Sequence, residues 1–144
     1  MDFNLTLESW REVERAFAIK MLSKCSDIEK IEFAPDMQFK DWDVKISWCW
    51  KETTYEVKRD FKSQETWNIA IEFRCNNKPS GIFASKADYI IYCLSEDEFY
   101  WQNRWELLYR LYFLEKKTVN WWDWDRAEMF LINKWDLYLL FNRL

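Results

Sequence analysis

The chain has 144 residues, 49% of them hydrophobic, with one glycine, two prolines and a formal net charge of −4; that is enough apolar content for one core, and nothing Gly/Ser/Pro-rich divides it, so a single domain over residues 1–144 is expected. No apolar run is long and charge-free enough for a membrane span, and Asp2 and Glu8 are unlike a secretory leader, so an intracellular, cytoplasmic protein is expected, including a phage- or virus-encoded one in its host's cytoplasm. Histidine is absent and the cysteines at 25, 49, 75 and 93 form no C-x-x-C pair, which excludes Ser-His-Asp and Cys-His catalysis, argues against structural zinc, and leaves carboxylate and lysine chemistry.

In chain order, the apolar spacing predicts a helix over residues 7–24, capped by Thr6 or Asn4, with Val13, Phe17, Met21 and Leu22 inward. Residues 28–34 read as a strand. In Asp41-Trp42-Asp43-Val44-Lys45-Ile46-Ser47-Trp48 the apolar residues alternate with polar ones, as they do in Thr54-Tyr55-Glu56-Val57-Lys58, which predicts a hairpin with one apolar face. With its turn on Cys49-Trp50, facing residue numbers sum to 99. Asp43 then lies opposite Glu56 on the polar face, the Cβ atoms about 4.5–5.5 Å apart. A lysine-containing loop, a strand over 68–74, a turn over 76–81, a buried strand over 88–94, a short strand near Phe99, a helix over 105–116, a strand over 129–132 and a terminal amphipathic helix complete the pattern.

Two carboxylates so close repel each other unless a cation sits between them, and a hard ion such as Mg²⁺ takes one or two carboxylates while keeping waters for chemistry. Lys58, on the same face as Glu56, can hold the attacking water and offset charge growing on a phosphoryl oxygen, a combination that suits phosphodiester hydrolysis. The plain alternative is an amphipathic strand showing charges on its wet face.

These residues, in this order, resemble the PD-(D/E)XK nuclease superfamily, and more narrowly the archaeal Holliday-junction resolvases and small phage nucleases. Glu14-Arg15 within Val13-Glu14-Arg15-Ala16-Phe17 resembles the family's helix-borne acid, Asp43 the acid of its second strand, and Glu56-Val57-Lys58 its E-x-K. Thr66-Trp67-Asn68-Ile69-Ala70-Ile71-Glu72, Lys78-Pro79-Ser80-Gly81-Ile82 and Ser85-Lys86-Ala87-Asp88-Tyr89 resemble the stretch after E-x-K in the phage relatives. The chain departs from the family in lacking the proline before Asp43 and in having Trp67 where glycine is common. The resemblance covers roughly residues 8–92. It implies an α/β fold with a restriction-endonuclease-like core, a central mixed β-sheet flanked by helices. It further implies Mg²⁺ or Mn²⁺ held by Asp43, Glu56, the Val57 carbonyl and Glu14, with Glu14, Asp43, Glu56 and Lys58 catalytic. Glu8 and Glu12 compete with Glu14 on spacing alone.

The net charge speaks against nucleic-acid binding, yet residues 40–86 carry nine basic and seven acidic side chains, and that segment holds the motif. Asp41, Asp43 and Glu56 would be partly neutralised by metal. Arg15, Arg59, Lys62, Lys78, Ser85 and Lys86 are thus the expected DNA-binding residues, with Lys40 beside them; Gln64 is left without a role. Of the 11 tryptophans, Trp42, Trp48 and Trp105 fall on core-facing positions, and Trp121, Trp122 and Trp124 suit a dimer interface. The resemblance implies a DNA endonuclease acting on branched or structured DNA as a homodimer, since symmetric junctions need two active sites. An inactive nucleic-acid- or protein-binding module, and a nuclease for RNA or single-stranded DNA, remain open alternatives.

Overall fold

A computed structural model describes residues 3–36, 39, 41–122 and 126–144. Lys40 and Trp124, and the side chains of Asn4, Thr6, Glu8, Trp121 and Trp122, lie outside the described part of the chain. Helix α1 (Phe3–Lys24) begins four residues before its predicted start and ends as predicted. Val13, Phe17 and Met21, four residues apart, are buried with Ala18. Leu22, expected inward, is exposed, because one residue beyond Met21 is a turn of about 100° off that stripe.

Strands β1 (Ile28–Phe33), β2 (Val44–Trp48) and β3 (Glu52–Arg59) form an antiparallel meander. Val44 faces Tyr55 and Ile46 faces Thr53, the register in which paired numbers sum to 99. A short helix α2 (Ser63–Thr66) leads into β4 (Asn68–Cys75) and β5 (Lys78–Pro79). β6 (Tyr89–Ser95) then returns to lie parallel to β3, and β7 (Glu98–Asn103) folds back antiparallel on it. Helix α3 (Arg104–Phe113), strands β8 (Lys117–Trp122) and β9 (Arg126–Asn133), the single-turn helix α4 (Leu137–Leu140) and β10 (Asn142–Arg143) complete the chain.

The central sheet is mixed and six-stranded, in the order β1-β2-β3-β6-β7-β10. Alternation along each strand divides its side chains between two cores. Toward α1, Val13, Phe17 and Met21 pack on Val44, Ile46, Tyr55, Val57 and Ile91. On the opposite face Ile90, Tyr92 and Leu94 meet Leu107 and Leu111 of α3, Leu137 and Leu140 of α4, and Ile69, Ile71 and Ile132 of a second sheet. The fold is therefore mixed α/β, a mixed central sheet flanked by helices. The second sheet, ordered β5-β4-β9-β8, was not expected, because β8 (Lys117-Thr118-Val119-Asn120 at its start) is too polar to read as a strand on its own.

Two helix predictions are corrected. Helix α3 stops at Phe113 because Lys116 turns its ammonium back onto the carbonyls of Leu111 (2.6 Å) and Leu114 (3.4 Å), satisfying the last turn instead of extending it. The terminal amphipathic helix is one turn, after which Phe141 is extended and β10 pairs with β7. Trp105, expected in the core, is exposed on α3; Leu107 and Leu111 form the buried stripe instead.

Gly81 fixes how closely the turn after β5 approaches β4. Its φ is +50°, and a Cβ there would stand 2.1 Å from the Glu72 carbonyl oxygen. Gly81→Ala is therefore expected to destabilise the fold by more than about 1 kcal/mol, since both the left-handed backbone and the contact oppose a side chain. Urea denaturation checks this, and an unchanged midpoint would contradict it.

Candidate active site

Asp43 precedes β2 by one residue and is tied to β3 on both sides of Glu56. Its N–H donates to the Tyr55 carbonyl at 2.9 Å, and its Oδ2 accepts from the Val57 N–H at 2.8 Å. Residues 55 and 57 face α1, so Glu56 and Lys58 project from the opposite face, and the Asp43 carboxylate lies close enough to feel the charges of both. Lys58 Nζ stands 3.2 Å from Glu56 Oε1. The other oxygen, Glu56 Oε2, is buried and has no hydrogen-bond partner among the described residues. An orphaned carboxylate oxygen costs desolvation free energy without return, and beside a second acid it suits a cation.

The charges of this group act on one another. Burial pushes the Asp43 carboxyl above its usual range and the Glu56 charge adds to this, against the Val57 N–H and Lys58, which pull it down. Burial and the Asp43 charge raise Glu14, on α1, to about 7, opposed by Arg11. Burial works against a charged Lys58, yet Glu56, Asp43 and Glu72 outweigh it and hold the ammonium above its ordinary value. Residues from α1, from the turn into β2, and from β3 and β4 thus share one electrostatic neighbourhood.

Among the described residues no three Asp, Glu, Cys or His side chains are gathered tightly enough to hold an ion by themselves. What fits a divalent ion is the Asp43–Glu56 pair with its orphaned oxygen; Mg²⁺ needs only one or two carboxylates and keeps several waters. Glu14 lies close enough to Asp43 to feel its charge.

Glu14 gives a pH prediction. In the unfolded chain it loses its proton near 4.5, whereas in the native state it keeps it to about 7. Over that window the folded protein binds more protons, so stability falls as pH rises, and the full cost is present above about 7. Glu14→Gln is expected to flatten this part of the decline in a melting series from pH 4 to 8. Parallel curves for the two proteins would contradict it.

Beside Lys58 the end of β3 meets the second sheet. Asp60 Oδ2 accepts from the Ala70 N–H at 3.0 Å, and the Tyr92 hydroxyl donates to the Ala70 carbonyl at 3.3 Å. A groove of about 440 Å³ opens there, lined by Lys58, Asp60, Glu72, Tyr92, Val119 and Met129 among others. Glu72 was not anticipated as a site residue; its signal was its polar position between Ile71 and Phe73, whose side chains enter the core.

The residues expected to meet DNA are scattered. Arg59 lines the groove, its guanidinium 4.1 Å from the Phe61 ring centre. Arg15 is exposed on α1, Lys62 is exposed just before α2, and Lys78 is exposed on β5. Lys86 is exposed and stands 3.6 Å from Asp41. Ser85 is buried, and its hydroxyl accepts from the Ala87 N–H at 3.2 Å. Gln64 donates to the Leu94 carbonyl at 2.9 Å, joining the loop after β3 to β6.

Compared with known proteins, the chain matches no family model, no curated protein and no solved structure. No described helix is long and apolar enough to cross a membrane.

Proposed function

We propose that the chain is a divalent-metal-dependent DNA endonuclease of the PD-(D/E)XK type, with Asp43, Glu56 and the Val57 carbonyl as metal ligands, Glu14 beside them, and Lys58 as the catalytic cation. The observation that carries the reading is Glu56 itself, one oxygen 3.2 Å from Lys58 and the other buried without a partner among the described residues, next to an Asp43 whose charge it opposes. The mixed central sheet is compatible with the restriction-endonuclease-like core that the resemblance implies, since the strand bearing E-x-K has an antiparallel neighbour on one side and a parallel one on the other.

Mg²⁺ or Mn²⁺, when bound, would lower the pKa of a coordinated water and neutralise charge on the scissile phosphate. The chain's own residues do the rest. Val57 N–H fixes the orientation of Asp43. Glu56 holds Lys58 charged and aimed. The ammonium steadies the attacking water and offsets charge developing on the phosphoryl oxygens as the new P–O bond forms and the leaving alkoxide departs. Arg59, lining the groove, and Arg15, Lys62, Lys78 and Lys86 supply backbone contacts that do not read sequence. Branched or otherwise structured DNA is the proposed substrate and a homodimer the proposed assembly, both following from the resemblance.

Purified protein with Mg²⁺ or Mn²⁺ is assayed on a four-way junction, duplex, flap, single-stranded DNA and RNA. The proposal expects metal-dependent cleavage, strongest on the junction or flap, lost with chelator and with Asp43→Asn. Binding without cleavage of any substrate would overturn it in favour of an inactive binding module. Cleavage confined to RNA or single strands would overturn the substrate assignment while keeping the chemistry.

A further inference from the structure

Helix α3 is apolar on both sides. Leu107 and Leu111 are buried in the core, while Trp105, Tyr109, Tyr112 and Phe113 on the other side are 70%, 63%, 79% and 69% exposed. Their spacing of four, seven and eight residues from Trp105 puts all four on one outward stripe. The rings already pack on one another, Tyr109 and Phe113 at 5.0 Å and Tyr112 and Phe113 at 5.1 Å between centroids, both edge-on. Leu139 of α4, 57% exposed, lies beside the helix, its carbonyl accepting from Arg110 Nη1 at 3.4 Å.

At roughly 150–250 Å² per aromatic side chain, the four stripe residues alone expose on the order of 550 Å². That is at the top of what monomers carry as a single apolar patch, roughly 300–600 Å². With Leu139 it makes up most of the roughly 800 Å² per partner of a standard protein interface. The patch offers phosphates little: Glu106, the only acid on α3, is paired with Arg110 at 2.9 Å, and the remaining cation, Arg104, lies 4.3 Å over the Trp105 ring while donating to the Ile82 carbonyl. An apolar, nearly charge-balanced stripe suits another apolar stripe. It is also self-complementary, since two copies of α3 running antiparallel about an axis at Tyr109 bring Trp105 of each against Phe113 of the other, apolar on apolar throughout.

We propose that the outward face of α3, extended by Leu139, is the interface with a second copy of this chain, the two-fold axis passing close to Tyr109. This assignment of a surface holds whether or not the protein cuts nucleic acid. The test is sedimentation equilibrium of the full chain from 0.5 to about 50 μM, a range that brackets micromolar dissociation constants, for the unaltered protein and for Tyr109→Glu and Phe113→Glu, with far-UV circular dichroism confirming that each is folded. The expected result is twice the monomer mass for the unaltered chain and at least a hundredfold weaker association for both variants. Two variants guard against one failing to fold, and both positions are solvent-exposed in the protomer. A monomer at every concentration would overturn the proposal, as would a dimer that survives both substitutions. A monomer that binds an oligonucleotide, and loses that binding in Trp105→Ala, would overturn it too, making the stripe a base-stacking surface.

Discussion

Lys58→Ala is expected to lower metal-dependent cleavage by roughly 10²–10³-fold, the usual cost of removing one preorganised group aimed at developing charge. The residue has few other duties. It keeps 40% of its side chain exposed and its ion pair with Glu56 is only partly buried, and pairs of that kind contribute about 1 kcal/mol or less to folding. A large loss of rate with a nearly unchanged melting temperature is therefore the predicted signature. Lys58→Arg should not restore the rate, because a planar fork cannot replace a compact ammonium 3.2 Å from Glu56. Single-turnover kinetics at saturating metal make the measurement; a loss smaller than tenfold would contradict the role assigned to Lys58.

The largest effect on stability is expected from Phe17→Ala, about 3–5 kcal/mol. Phe17 has no solvent exposure. Its ring lies 5.1 Å from Tyr55 and 6.4 Å from Phe99, and with Val13 and Met21 it seals α1 onto the strands behind the candidate site. Total stabilities of small domains are about 5–15 kcal/mol, so one substitution removes a large share. It should also loosen Glu14, three residues earlier on the same helix, and so weaken the rise of melting temperature on adding Mg²⁺. Urea denaturation with an unchanged slope measures the first effect. A loss under about 1.5 kcal/mol would mean that α1 is held by something other than this ring.

The hairpin was the most legible part of the sequence, because alternation of period two and a two-residue turn leave little freedom of register. That is why the pairing of Val44 with Tyr55 could be read from the residues alone. The helix-borne Glu14 needed the resemblance, since spacing alone did not separate it from Glu8 and Glu12. The features that stayed hidden are those that tertiary contacts decide. Strand β8 gains its place by pairing with β9, not by its own composition. Trp105 and Leu22 lie on the solvent side because neighbouring residues, Leu107 and Met21, occupy the core. Ser85 and Gln64 are likewise engaged locally, by Ala87 and Leu94, in contacts that only folding creates. Glu72 enters the groove because the second sheet meets the end of β3 through Asp60 and Tyr92, a juxtaposition no local pattern encodes.

In the proposed mechanism Asp43 and Glu56 share a cation beside Lys58. Crystals soaked in Mn²⁺, with anomalous scattering recorded for the metal, test it most directly. A single strong peak is expected within coordination distance of one Asp43 oxygen and of Glu56 Oε2, absent in Asp43→Asn crystals. A peak elsewhere, or none at this pair with Mn²⁺ in excess, would contradict it.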